Sequence, residues 1–129
     1  MHVLLSINPV HVANIFAGVK TFEYRRRLFA RKDITTVVVY CTRPIAKLVG
    51  EFDIADVLRD KPDRLWERTK EGSGISAAFF ESYFSGRDEG FALKIGDVRP
   101  FAEQLDPKDL FEKFVPPQSY KYLPDFVNG

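Results

Sequence analysis

The spacing of apolar and polar positions changes several times along the chain, and each change marks an element. Val3 to Ile7 carries the short apolar run of a buried strand. Asn8 then Pro9 predicts a helix start, with Asn as the cap and Pro at the first helical position, where its missing N–H costs nothing. Val12, Ile15 and Phe16 share one face of that helix, and Gly18 closes it in the left-handed conformation. Thr21 to Arg25 reads as a strand or an extended loop leaving one. Ile34 to Tyr40 is a β-branched run too continuous for a surface strand, which predicts a central place in a sheet, ended by Arg43-Pro44.

Further on, Leu48, Gly50, Phe52 and Ile54 alternate with Val49, Glu51, Asp53 and Ala55, the period of a strand. Pro62 opens a helix carrying Leu65, Trp66 and Thr69. Gly72-Ser73-Gly74 reads as a flexible turn, and Ser76 caps the next helix. In that helix Phe79, Phe80, Tyr83 and Phe84 share one face; with Trp66 they read as core rather than as a stacking platform. Phe91, Leu93 and Ile95 alternate as another strand, and Pro107 starts a short helix through Phe111. Pro116-Pro117 bars a helix, and Tyr120 and Tyr122 suit a last edge strand that either covers the core or fringes a cleft.

The order β-α-β-β-β-α-α-β-β predicts an α+β fold: a mixed, mostly antiparallel sheet or small barrel with helices at its rim. One domain is expected over 1–129, a length that buries a core without staples. The regular βα alternation of a dinucleotide-binding sheet is missing, and so are the G-x-G-x-x-G and phosphate-loop motifs.

Composition narrows the classes further. No apolar stretch approaches the roughly 20 residues of a membrane span, and the opening residues lack a secretion signal, so a cytoplasmic protein without membrane contact is expected. The lone Cys41 makes no internal disulfide and reads as a small buried hydrophobe in a reducing compartment. With only His2 and His11 besides, neither a metal nor a cofactor is expected; His11, off the apolar stripe of its helix, reads as solvated.

Net charge is +1, from 19 basic and 18 acidic residues, so bulk electrostatics does not make this a nucleic-acid binder. Distribution does more. Residues 20–32 hold Lys20, Arg25, Arg26, Arg27, Arg31 and Lys32 against Glu23 alone. A basic stretch on a neutral protein points to a defined anionic contact, or to a merely solvated surface segment.

The densest chemistry is Gly18-Val19-Lys20-Thr21-Phe22-Glu23-Tyr24-Arg25. In an extended chain Thr21, Glu23 and Arg25 face one way, and Phe22 and Tyr24 the other. A carboxylate between Lys20 and Arg25 is held ionised and orients Arg25 as a bidentate donor, able to grip a phosphate, a carboxylate or a base edge. The same residues also suit an ordinary ion-paired hairpin shoulder.

This G-x-K-x-x-E-x-R spacing after a strand and a helix resembles the signature of the ASCH family, a branch of the PUA-like superfamily. Other stretches resemble it in the same order: Leu4-Leu5-Ser6-Ile7-x-Pro9, Tyr40-x-Thr42-x-Pro44, Val49-Gly50-Glu51-Phe52, Leu65-Trp66 with Ser73-Gly74-Ile75-Ser76, Tyr83-Phe84-x-Gly86-Arg87 and Pro116-Pro117-Gln118-Ser119. The resemblance implies a β-barrel with peripheral helices and a cleft beside the motif that binds RNA or a modified nucleotide. By position Lys20, Glu23 and Arg25 would line that cleft. Ser6, Tyr40, Thr42, Gln118 and Ser119 would form its other side, with Arg26 and Arg27 extending the phosphate contacts.

One bacterial branch of the family resembles an amidohydrolase that removes acetyl from N4-acetylcytidine. It uses the motif lysine, a threonine three residues later and a glutamate from a distant loop. Here Lys20 matches the lysine, but Glu23 stands at the threonine position, and Glu71 is the nearest candidate for the loop glutamate. Thr21, next to Lys20, points to the opposite side of a strand. An enzyme built this way would have Lys20 activate water with Glu23 as proton acceptor. Other members are linked to RNA cleavage. Three readings therefore stand: an RNA- or nucleotide-binding domain, a hydrolase with Lys20 and Glu23 as its catalytic pair, and a protein-interaction or regulatory module. Oligomeric state is left open.

Overall fold

The computed structural model describes residues 1–124; residues 125–129, within the domain expected over 1–129, lie outside the described residues. Six strands, β1 (His2–Ile7), β2 (Phe22–Arg25), β3 (Thr36–Cys41), β4 (Lys47–Asp60), β5 (Gly90–Leu105) and β6 (Lys121–Leu123), form one sheet in the order β2-β5-β4-β3-β1-β6. Strands β1 and β3 run parallel and the other pairings are antiparallel. That is the mixed α+β architecture expected of the pattern.

Helices sit between strands: α1 (Pro9–Phe16), α2 (Pro62–Thr69) with a one-turn 3-10 extension (Lys70–Gly72), α3 (Ala77–Tyr83) and the short α4 (Pro107–Leu110). Their ends obey local chemistry. Asn8 accepts from the Val10 N–H, Ser76 from Phe79 and Asp106 from Lys108, while Gly18 sits at φ +78° past α1.

The two long strands exceed their sequence patterns. The alternation predicts β4 to about Ala55 and β5 to about Ile95, yet they run to Asp60 and Leu105. Pairing supplies what the residues alone do not, because Asp56 to Asp60 lie opposite Gly90 to Lys94, and Gly50 to Phe52 opposite Val98 to Pro100. The β4–β5 register shifts three times, and such bulges bend a strand and increase its twist. A single strand thereby serves three cores. Leu48 packs with Leu4, Val38, Tyr40 and Leu123; Phe52 with Val3, Leu5, Val37 and Ile15; Leu58 with Tyr24, Leu65, Phe80 and Phe84.

Tyr120 and Tyr122 pack against the central cluster, which resolves their two alternatives in favour of covering the core. Cys41 is buried in the central strand. Bending brings the sheet's two edges together: Arg25, on edge strand β2, donates to the Ser119 carbonyl just before the opposite edge strand β6, at 3.0 Å.

Candidate functional site

Lys20 follows the Gly18 cap, and its ammonium lies indoors: the residue is only 2% exposed. It donates to the Ser73 carbonyl at 2.7 Å and stands 4.9 Å from the Tyr24 ring centroid. Two glycines bring that carbonyl close. A side chain at Gly72 would collide with the Thr21 hydroxyl, and one at Gly74 (φ +65°) would come 2.8 Å from the Lys20 Cβ. The Gly72-Ser73-Gly74 segment, read from sequence as a flexible turn, is instead packed against the lysine; Ser73 is buried and its hydroxyl bonds within the turn to Ile75. Glycine there serves close approach.

Glu23 is buried on β2, and its carboxylate meets Arg25 at 3.4 Å. Glu23 does not take both arms of the guanidinium: one arm meets its carboxylate and the other goes to the Ser119 carbonyl. Nor do Lys20 and Glu23 form a direct ion pair among the described residues; the Lys20 bond goes to Ser73. The trio thus shares a cleft while each member is anchored to a different piece of backbone or side chain. Thr21 stands apart, exposed and turned toward the Gly72 carbonyl.

The polar residues lining the cleft, of about 230 Å³, are Ser6, Asn8, His11, Lys20, Glu23 and Arg25. Tyr24, Tyr83, Phe79, Ile7 and Ile75 supply the rest of its lining. Burial pushes the Lys20 ammonium below the usual lysine pKa, partly offset by the Glu23 carboxylate. Burial also holds the Tyr24 and Tyr83 phenols above theirs.

Three residues enter against expectation. His11, read as solvated, lines the cleft with its Nδ1 buried and without a hydrogen-bond partner among the described residues, its ring edge-on to Phe79 at 5.5 Å. Its pKa is lowered by burial and then by the Lys20 charge, with Glu23 opposing. The aromatic face of α3, read as core, divides in two. Phe80 and Phe84 pack in the core beside Trp66, whereas Phe79 is 47% exposed and, with half-buried Tyr83, lines the cleft. Residues four apart stay on one face, and each pair is turned about 100° from the other. The sequence signal was available in the 79/83 and 80/84 spacing; for His11, one turn after Asn8, there was none.

The remaining predicted site residues are distributed as follows. Ser6 lines the cleft while donating to the Pro117 carbonyl at 2.9 Å. Gln118, Ser119 and Arg26 line an adjoining concavity that shares Arg25 with the cleft. Tyr40, although beside Ser6 in the β1–β3 ladder, is buried against Phe114 and lines a separate cavity with Arg43 and Lys47. Thr42 lies in the turn after β3, its N–H on the Ile7 carbonyl, and lines none of these cavities. Glu71 is exposed on the 3-10 turn and does not line the cleft.

No protein-family model matches the chain. An ASCH domain-containing ribonuclease of Zymomonas mobilis is 28% identical over 124 residues, spanning 93% of this chain and 82% of that protein. A large ribosomal subunit protein of Ureaplasma parvum is 26% identical over 123 residues, covering 94% of this chain but 39% of that protein. In three dimensions the crystal structure of ASCH from Zymomonas mobilis superposes with a TM-score of 0.88 at 25% identity, over 95% of this chain and 87% of that one. Similarity therefore runs nearly end to end, in sequence and in fold, between this chain and ASCH domain proteins.

Proposed function

We propose that the chain binds RNA, taking one unstacked nucleotide into the cleft between α1, β2 and α3. The observation that carries this is the cleft's mixed lining, in which a buried cation and a buried carboxylate share one concavity with aromatic rings. Sequence-reading RNA domains stack a splayed base on aromatics and read its edges with polar groups. Phe79 and Tyr83 supply the faces; Ser6, Glu23 and the neutral His11 ring supply donors and acceptors for an edge; Lys20 and Arg25 supply charge for the attached phosphate.

A second reading, hydrolysis within the same cleft, is favoured by the chemistry of Lys20. A lysine whose pKa is lowered by burial is a better proton acceptor than a solvated one, and His11 and Glu23 stand in the same cleft. The relative named a ribonuclease supports a phosphodiester as the bond attacked. An N4-acylated cytidine is the alternative substrate, with Lys20 activating water and Glu23 accepting its proton.

One experiment separates these readings. The protein is incubated with free and RNA-embedded cytidines, unmodified and N4-acylated, with mass spectrometry for products and a parallel binding titration. Binding without turnover, weakened about tenfold or more in Lys20→Ala and in Arg25→Ala, is the expected result. Product formation that disappears in Lys20→Ala replaces it with the hydrolase. Parent-like behaviour of both variants would remove the cleft assignment, and absence of both binding and turnover would leave a protein-interaction role.

A further inference from the structure

The molecule holds a second concavity that the cleft chemistry does not use. It opens beside the cleft, measures about 370 Å³, and gathers Arg25, Arg26, Arg27 and Arg87 with Gln118 and Ser119. Among the described residues no carboxylate lines it. Elsewhere arginines meet acids: Arg31 pairs with Asp33, Arg59 with Glu89, Arg68 with Asp60, and Arg99 with Glu51 and Asp53. In the groove, only Arg25 has such a partner among the described residues, the cleft residue Glu23. Arg26 is held in place by donating to the Tyr83 carbonyl at 2.7 Å and by lying 4.3 Å from the Tyr83 ring centroid, which orients it without neutralising it. Arg27 and Arg87 are exposed and make no side-chain hydrogen bond or ion pair among the described residues.

Four guanidiniums in one concavity repel one another, and anions placed between them relieve that repulsion. Guanidinium is also the side chain whose fork matches phosphate oxygens. We propose that this groove is the track for an RNA backbone, holding phosphodiesters that flank the nucleotide in the cleft, so that the ligand is a single strand rather than a free nucleoside. This rests on the cleft reading above and extends it. Arg25 lines both spaces, so a nucleotide in the cleft presents its own phosphate there; Arg26, Arg27 and Arg87 are left for the neighbouring phosphates. A base taken into the cleft is unpaired, which makes the strand single.

The test is fluorescence anisotropy with a labelled random-sequence hexaribonucleotide across a KCl series, on the parent, Arg27→Ala/Arg87→Ala and Lys20→Ala. Both arginines are exposed, so the double variant should fold, and a circular-dichroism melt checks that it does. Expected is a loss of about tenfold in its affinity, with the salt slope shallower by about 1.4, from roughly 0.7 per phosphate contact on a single strand. Unchanged affinity and slope in the double variant, with weakened binding in Lys20→Ala, would overturn the groove and leave the cleft standing. The reverse pattern would support the groove and remove the cleft. No binding by the parent removes both. A labelled hexaglutamate peptide bound as tightly as the RNA also overturns the proposal, since the groove would then read charge without phosphodiester geometry.

Discussion

Lys20 and His11 are coupled, and the coupling can be measured one residue at a time. Burial and the Lys20 charge both lower the His11 pKa, so the imidazole is neutral at pH 7. In an NMR titration His11 should titrate below the ordinary 6.5, and Lys20→Ala should move it upward by removing a nearby positive charge. An unmoved His11 would mean the two side chains do not sense each other. The linkage sign follows: with its folded value depressed, His11 contributes stability that is present above 6.5 and lost as pH falls through the lower value. Lys20 obeys the same sign at the alkaline end. Its folded pKa lies below the ordinary 10.5, so the unfolded chain holds the proton more tightly and stability rises with pH up to that value. Relative to Lys20→Met, which does not titrate, the parent should therefore gain stability from neutrality toward pH 10.5 in urea denaturation. A pH-independent difference would mean that Lys20 titrates as a solvated lysine.

Among the elements, the turn at 72–74 fixes where Lys20 stands in the cleft. It brings the Ser73 carbonyl to the Lys20 ammonium at 2.7 Å, and glycine at 74 meets both of its demands, a left-handed backbone and space against the Lys20 Cβ. Gly74→Ala should cost about 1–2 kcal/mol from the backbone conformation alone, and more where the Lys20 stem must shift. Urea denaturation reads the first effect, and weakened nucleotide binding the second. Gly86, also at positive φ but with open space around it, should show the backbone cost while nucleotide binding stays at parent level. Helix α3 presents a different lesson. Its two aromatic pairs differ by one position, yet one pair holds the core and the other forms a wall of the cleft. Periodicity places residues on faces; only the neighbours of a face decide whether it is covered.

For the molecule as a whole, closure between the sheet's edges positions the groove. The segment carrying Gln118 and Ser119 is tied down by the Arg25–Ser119 contact, by the Ser6–Pro117 bond and by β6, whose Leu123 is 3% exposed. Removing that anchor by Leu123→Ala should destabilise the fold by about 2–5 kcal/mol, the range for a buried leucine. It should also weaken RNA binding by loosening the groove's far rim. Denaturant unfolding and the anisotropy titration measure the two effects separately. Parent-like RNA affinity in a folded but less stable variant would show that the rim does not depend on β6.

Local chemistry determined what neighbouring residues settle among themselves. The Asn8, Ser76 and Asp106 caps, the Gly18 stop, the buried run of β3 and the edge position of β6 depend on side chains a few positions away, and all were legible in the chain. So was the Gly18-to-Arg25 segment as the place to look, because its residue types carry charge and hydrogen-bonding capacity wherever they fold. Tertiary structure decided the rest. The far halves of β4 and β5 became strand by pairing with each other, the carbonyl that receives Lys20 comes from 53 residues away, and that which receives Arg25 from 94. His11 became a cleft residue because α3 lies across from it, and Tyr40 went to another cavity despite its place beside Ser6 in the ladder. The reason is common to all of them: burial and hydrogen-bond partners belong to pairs of distant segments, and a residue's own neighbours in sequence carry no record of which segment arrives.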